Sequence, residues 1–150
     1  MKIGKVLILL LLIGIFLVLV DRESQRIPGS NIPIAVRLNG VVVEVETATT
    51  ERARYEGLSG RSELGSKNGL LFIFDEEDYH AIVMRDMRFS IDVIWISEDM
   101  EIVDIKPIFR PWDRTIALPS QPALYVLEVN AGLTDIHEIK IGSSVQFITQ

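Results

Sequence analysis

The stretch Ile34–Ala48, IAVRLNGVVVEVETA, decides the fold class. Ile34, Val36 and Leu38 alternate with Ala35 and Arg37, and Val41, Val43 and Val45 resume the alternation after Asn39-Gly40. A period of two marks strands that bury one face. The Asn-Gly pair between them supplies the two positive-φ residues of a type I′ turn, whose twist matches that of a hairpin. Two antiparallel strands follow from this reading, and the rest of the domain is expected to be β-rich.

Downstream, TTERARYEGLSGRSELGSKNG changes the pattern. Thr49 or Thr50 can cap a short helix with Glu51 in its first turn, and Gly57 stands where that helix would stop. So short a helix is not stable alone and must lean on the sheet through Ala53 and Leu58. Gly60, Gly65 and Gly69 mark a loop after it. Leu70–Phe74, LLFIF, is an apolar run of the kind covered on both faces, and DEEDYH after it reads as an acidic turn.

Ile82 and Met84 begin another strand, Asp86–Ser90 breaks it, and Ile91–Ile96 (IDVIWI) continues as a core strand. EIVDIKPIF, ALYVLEV and SVQFIT read as further strands, and LTDIHEI as a second short helix. Pro111, Pro119 and Pro122 make the segment between two of these strands a long surface loop. The expected architecture is α+β and mainly antiparallel β. It is a compact barrel or sandwich of about seven short strands with two short helices over residues 34–150, preceded by an N-terminal hydrophobic helix.

Upstream, Lys2 and Lys5 precede the unbroken apolar run VLILLLLIGIFLVLV, Val6–Val20. A basic start followed by such a run is an export signal. Fifteen residues make roughly 22 Å of helix against a hydrocarbon core of about 30 Å, and Ile3, Gly4 and a snorkelling Lys5 extend the span. No A-x-A-like cleavage pattern follows it. Residues 1–20 are therefore expected to form an uncleaved membrane anchor with the domain outside the cytoplasm, the alternative being secretion after signal cleavage. Residues 21–33, DRESQRIPGSNIP, read as a linker.

The chain of 150 residues carries a net charge of −6, and both Lys2 and Lys5 sit at the N-terminus, so the domain is more acidic still. That argues against nucleic acid as a partner. The absence of cysteine excludes disulfides, thiol catalysis and thiolate metal sites. No catalytic triad, metal cluster or phosphate loop is evident, and no cofactor is expected. His80 and His137 are too few for a histidine-rich metal site.

ERARYEGLSGRSEL, NGLLFIF, MRDMRFSIDVIWI, LPSQPALYVLEVNAG and IKIGSSV follow one another along the chain. In this order they closely resemble the bacterial and archaeal family called domain of unknown function 192, over roughly Ile34–Ile148. The resemblance implies a small β-rich domain with short helices, often exported, and no established activity. Arg52, Gly57, Leu58 and Arg61 match its arginine-and-glycine segment, Gly69, Leu70, Phe72 and Phe74 its apolar strand, Met84 and Asp92 its central strand, and Pro119, Glu128 and Gly132 its later motif. Val83-Met84-Arg85-Asp86-Met87 departs from a common W-M-K-N-T, and Pro111-Trp112-Asp113 lacks a cysteine found after proline in many members.

Asp92 is the sharpest single candidate, because a carboxylate inside a strand of Ile, Val and Trp must face water or be buried with a partner. Arg52, Arg61, Arg85 and Arg88 are its expected partners, pinning the central strand to the short helix. Glu128, in YVLEV, raises the same question. Met84 reads chiefly as core filler. Trp112, between Arg110 and Arg114, is a candidate anchor for a partner. The expected function is a non-catalytic binding or interaction module that presents Arg52, Arg61, Met84, Arg85, Asp92, Trp112 and Glu128 to an envelope protein or small ligand. The alternative is a small-molecule binder or small enzyme using an Arg/Asp cluster around Asp92.

Overall fold

The computed structural model describes residues 32–149. The expected N-terminal hydrophobic helix and most of the linker lie outside the described residues. Among the described residues no helix is long and apolar enough to cross a membrane.

Seven strands form a single sheet in the order β5-β4-β6-β3-β2-β1-β7. They are β1 (Pro33–Leu38), β2 (Val41–Ala48), β3 (Asn68–Asp78), β4 (Ile91–Ile96), β5 (Ile102–Phe109), β6 (Ala123–Asn130) and β7 (Val145–Thr149), with helices α1 (Glu51–Glu56) and α2 (Leu133–Ile136). The β1–β2 turn has φ of 40° at Asn39 and 84° at Gly40, the pair of positive values its sequence requires. β3 runs on through Asp75–Asp78, which the sequence assigns to a turn. Ile82 makes only an isolated bridge to Ala117, so no strand starts there.

The sheet is mixed, not purely antiparallel. β2 and β3 are parallel, with Glu44 opposite Asn68 and Ala48 opposite Phe72. The reason lies in their connection, which passes through α1 and a glycine-rich loop. A parallel pair needs such a crossover of a dozen or more residues, whereas a hairpin does not. There is one sheet instead of the two a sandwich would need. Its outer strands meet at one end, where Glu101 bridges Ser144 and the amide of Val145 donates to the Met100 carbonyl at 2.8 Å.

The central strands bury both faces. Val36, Val43, Leu71, Ile94, Ile102, Leu127 and Val145, drawn from all seven strands, meet in an inner core closed off by Leu133 and Ile139. The alternate residues Leu70, Phe72, Val93, Trp95 and Val126 form an outer core covered by Leu58, Ile82 and Met84. Trp95 is 1% exposed, and its indole N–H donates to the His80 carbonyl at 2.8 Å, which satisfies its one polar atom.

Candidate functional site

The outer core is roofed by elements too short to seal it. The Thr50 hydroxyl accepts from the Ala53 amide at the start of α1, and Gly57, at φ of 50°, ends the helix by donating its amide to Ala53. A residue with a Cβ is strained in that conformation, so glycine suits the stop. The chain then turns inward, and Leu58 is buried to 2% exposure against the sheet.

Across from α1, the segment Ala81–Met87 forms the second wall. Ser59 Oγ donates to the Arg85 carbonyl at 2.8 Å and the Gly60 amide donates to the Asp86 carbonyl at 2.9 Å. The Arg85 guanidinium lies 3.7 Å from the Tyr55 ring centroid and donates to the Tyr55 carbonyl. Between the two walls remains an open cavity of about 210 Å³, with Phe72 and Glu128 at its base and Arg54, Glu56 and Arg85 among its lining.

Glu128 is the chemically distinctive group there. On β6 it stands opposite Leu70 of β3 and Val93 of β4, so apolar residues flank it on both sides. It is 5% exposed, and its Oε2 has no hydrogen-bond partner among the described residues. Burial pushes its pKa up to about 8, against a smaller opposing pull from the nearby Arg61 charge. At neutral pH it is therefore largely a neutral acid, able both to donate and to accept. Arg61 is engaged elsewhere, in a bidentate pair with Glu46 at 2.6 and 2.9 Å that holds the Glu46 carboxyl below its usual range.

Asp92 corrects the sequence reading. It is fully buried, yet no arginine among the described residues pairs with it. By the strand alternation it faces the inner core. Its carboxylate accepts from the amides of Ile108 at 2.8 Å, Gly132 at 3.1 Å and Thr134 at 2.9 Å, and from the Thr134 hydroxyl at 2.7 Å. Gly132 has no side chain with which to cap α2, so Asp92 supplies that cap from a distant strand. It also holds Ile108, a β-branched residue at φ of 48° beside a register shift in the β4–β5 pairing. This is a polar knot inside the fold, not a ligand cluster.

The other candidates scatter. Arg61 and Arg85 come to the cavity's surroundings, and Met84 is buried in the outer core. Arg52 faces solvent, paired with Glu56 at 2.8 Å. Trp112 is 73% exposed and lines no part of the cavity. Sequence reasoning singled out neither Tyr55 nor Ser59, which the closure of α1 against Ala81–Met87 brings to one place with Arg54. It also missed Thr134, whose signal was its position two residues past Gly132. No group of three or more His, Cys, Asp or Glu residues able to hold a metal occurs among the described residues.

The DUF192 family model, described as an uncharacterized ACR, matches residues 34–147. The chain is 37% identical over 60 residues to a UPF0127 protein of Pyrococcus abyssi, spanning 40% of this chain and about half, 49%, of that protein. It is 26% identical over 110 residues to a UPF0127 protein of Pyrococcus furiosus, spanning 70% of this chain and 87% of that one. Among solved structures it is similar to a protein of unknown function from Novosphingobium aromaticivorans, with a TM-score of 0.71 and 31% identity over 77% of this chain and 84% of that one. It is also similar to a putative transcription regulator from Sinorhizobium meliloti, with a TM-score of 0.72 and 27% identity over 80% of this chain and 97% of that one.

Proposed function

Because this chain belongs to the DUF192 family, described only as uncharacterized, we propose its function from the cavity: a non-catalytic binding module that takes a small ligand between α1 and Ala81–Met87. The observation that carries the reading is Glu128, a buried carboxyl with an unsatisfied oxygen at the base of an open cavity. An orphaned buried polar group costs about 1–3 kcal/mol, and a bound ligand is one way to recover it. The cavity lining carries no histidine or lysine, its second acid Glu56 is paired with Arg52, and the Ser59 hydroxyl is already donating to the Arg85 carbonyl. Binding is therefore favoured over proton-transfer chemistry.

The N-terminal apolar run supports a membrane-anchored setting outside the cytoplasm, with an envelope protein as a second partner class and Trp112 as its exposed contact. The net charge of −6 does not favour nucleic acid. A thermal-shift screen of small polar compounds against the full chain and a Glu128→Leu variant tests the ligand reading. Compounds that stabilise the first and not the second are expected, and equal responses would remove Glu128 from the site.

A further inference from the structure

The charges around the cavity do not balance, and the imbalance identifies a ligand class. Glu56 is tied to Arg52 on the outer side of α1, and Glu46 of β2 is tied to Arg61. Arg54 and Arg85 remain without an ion-pair partner among the described residues. Each donates to main-chain carbonyls, Arg54 to Thr49 and Ile73 and Arg85 to Tyr55, and five donors per guanidinium leave others available. Leu70 of β3 and Val93 of β4 stand opposite Glu128, and Phe72, Ile91 and Trp95 lie in the same apolar cluster, so those strands add no charge there. The titratable groups that line the cavity with Glu128 are thus Arg54, Tyr55, Glu56 and Arg85, and the charge that acts on Glu128 itself is that of Arg61, which is paired with Glu46.

A cation entering here would meet two unneutralised guanidiniums. A neutral amide would leave both of them unmatched. An anion meets a positive surrounding and, at the base, an acid that can donate its proton. Leu58, Phe72, Ile82 and Met87 add apolar wall to the same cavity. The volume of about 210 Å³ is below the roughly 300–1,000 Å³ of pockets that enclose drug-sized molecules.

We propose that this cavity binds a small monocarboxylate with an apolar or aromatic tail, the carboxylate accepting a hydrogen bond from the protonated Glu128 side chain. The inference rests on the ligand reading of the cavity and adds the chemical class. The tail lies against Leu58, Phe72 and Ile82, and the ligand's charge answers Arg54 and Arg85. Binding requires the proton on Glu128, so affinity is greatest below the carboxyl's pKa of about 8 and falls above it. The loss approaches about tenfold per pH unit once that group ionises.

The test is a methyl-resolved NMR titration of the full 150-residue chain in lipid nanodiscs, with benzoate and butyrate as probes and benzamide and butylamine as controls. The expected result is that the two carboxylates shift the Leu58, Ile82 and Met87 methyl signals and the controls do not. Raising the pH from 7 to 9 is expected to weaken benzoate about tenfold. Glu128→Gln keeps a donor of similar shape, so it is expected to bind benzoate at pH 7 and to lose the pH dependence between 7 and 9. If benzamide or butylamine shifts these methyls and the carboxylates do not, the ligand class is wrong and the cavity stands as a site. If none of the probes or the screened compounds shifts them, both the class and the cavity reading fall. Benzoate binding that is unchanged at pH 9 in the unmodified chain would overturn the role given to the Glu128 proton.

Discussion

Asp92 and Glu128 lie one register step apart on adjacent strands, Asp92 opposite Val129 and Glu128 opposite Val93, and face opposite sides of the sheet. Both are buried, at 0% and 5% exposure. Asp92 is saturated by amides and a hydroxyl, whereas Glu128 has an oxygen with no partner among the described residues. Two buried acids of the same strand pair thus differ in surroundings, one fully hydrogen-bonded and one with an open oxygen.

Asp92→Asn is expected to destabilise the domain by about 3–5 kcal/mol, because an amide NH₂ would face amides that need an acceptor. Urea denaturation measures it, and hydrogen exchange at Gly132 and Thr134 should quicken in parallel. A loss below about 1 kcal/mol would show that the five-bond knot is not a stabilising centre.

Glu128 makes stability fall with rising pH. An acid whose pKa is raised from 4.5 to about 8 in the fold contributes fully below 4.5 and loses that contribution as pH rises through 8. At about 1.4 kcal/mol per unit the full effect is on the order of 5 kcal/mol. Glu128→Gln should therefore match the unmodified chain near pH 4 and be the more stable of the two at pH 8.5. Parallel curves in urea across that range would contradict the burial of an unpaired carboxyl.

Arg61→Gln is expected to raise the pKa of Glu128 further, since the guanidinium charge holds it down. The same change frees Glu46 to return towards the ordinary carboxylate range. Carbon-detected titration of the two side chains reads both. The stability change should stay near 0–1 kcal/mol, because the pair is partly solvated, with side chains 34% and 58% exposed.

Gly69→Ala is expected to cost about 1–3 kcal/mol. An added Cβ would sit 2.9 Å from the Glu128 carbonyl, 3.0 Å from Val43 Cγ1 and 3.1 Å from Leu127 Cδ1, so β3 and β6 would have to part. Thermal melting measures the loss, and the Glu128 pKa should drop as water enters.

Local features were legible in the sequence and partnerships were not. The β1–β2 hairpin followed from alternation and Asn-Gly, and α1 from its Thr50 cap and Gly57 stop, since each is written within a few neighbouring residues. The parallel pairing of β2 with β3 was not legible, because nothing in either strand names its neighbour. Asp92 stood out as a carboxylate among Ile, Val and Trp, yet its partners are main-chain amides, which every residue has. Glu128 was legible as an anomaly in YVLEV. That it faces the opposite side from Asp92 depends on the β4–β6 register, and its cavity depends on how α1 and Ala81–Met87 close.

β1 lies between β2 and β7, with Leu38 opposite Val145 and Pro33 opposite Thr149. The first strand of the domain is therefore completed only when the last one arrives, after the whole intervening chain has been brought round. Closing so long a loop carries an entropy cost that no local turn offsets in advance. Refolding should accordingly be slow for a domain of this size, in the millisecond-to-second range typical of non-local β topologies. Until β7 docks, the outer edge of β1 stays open to pairing with another chain.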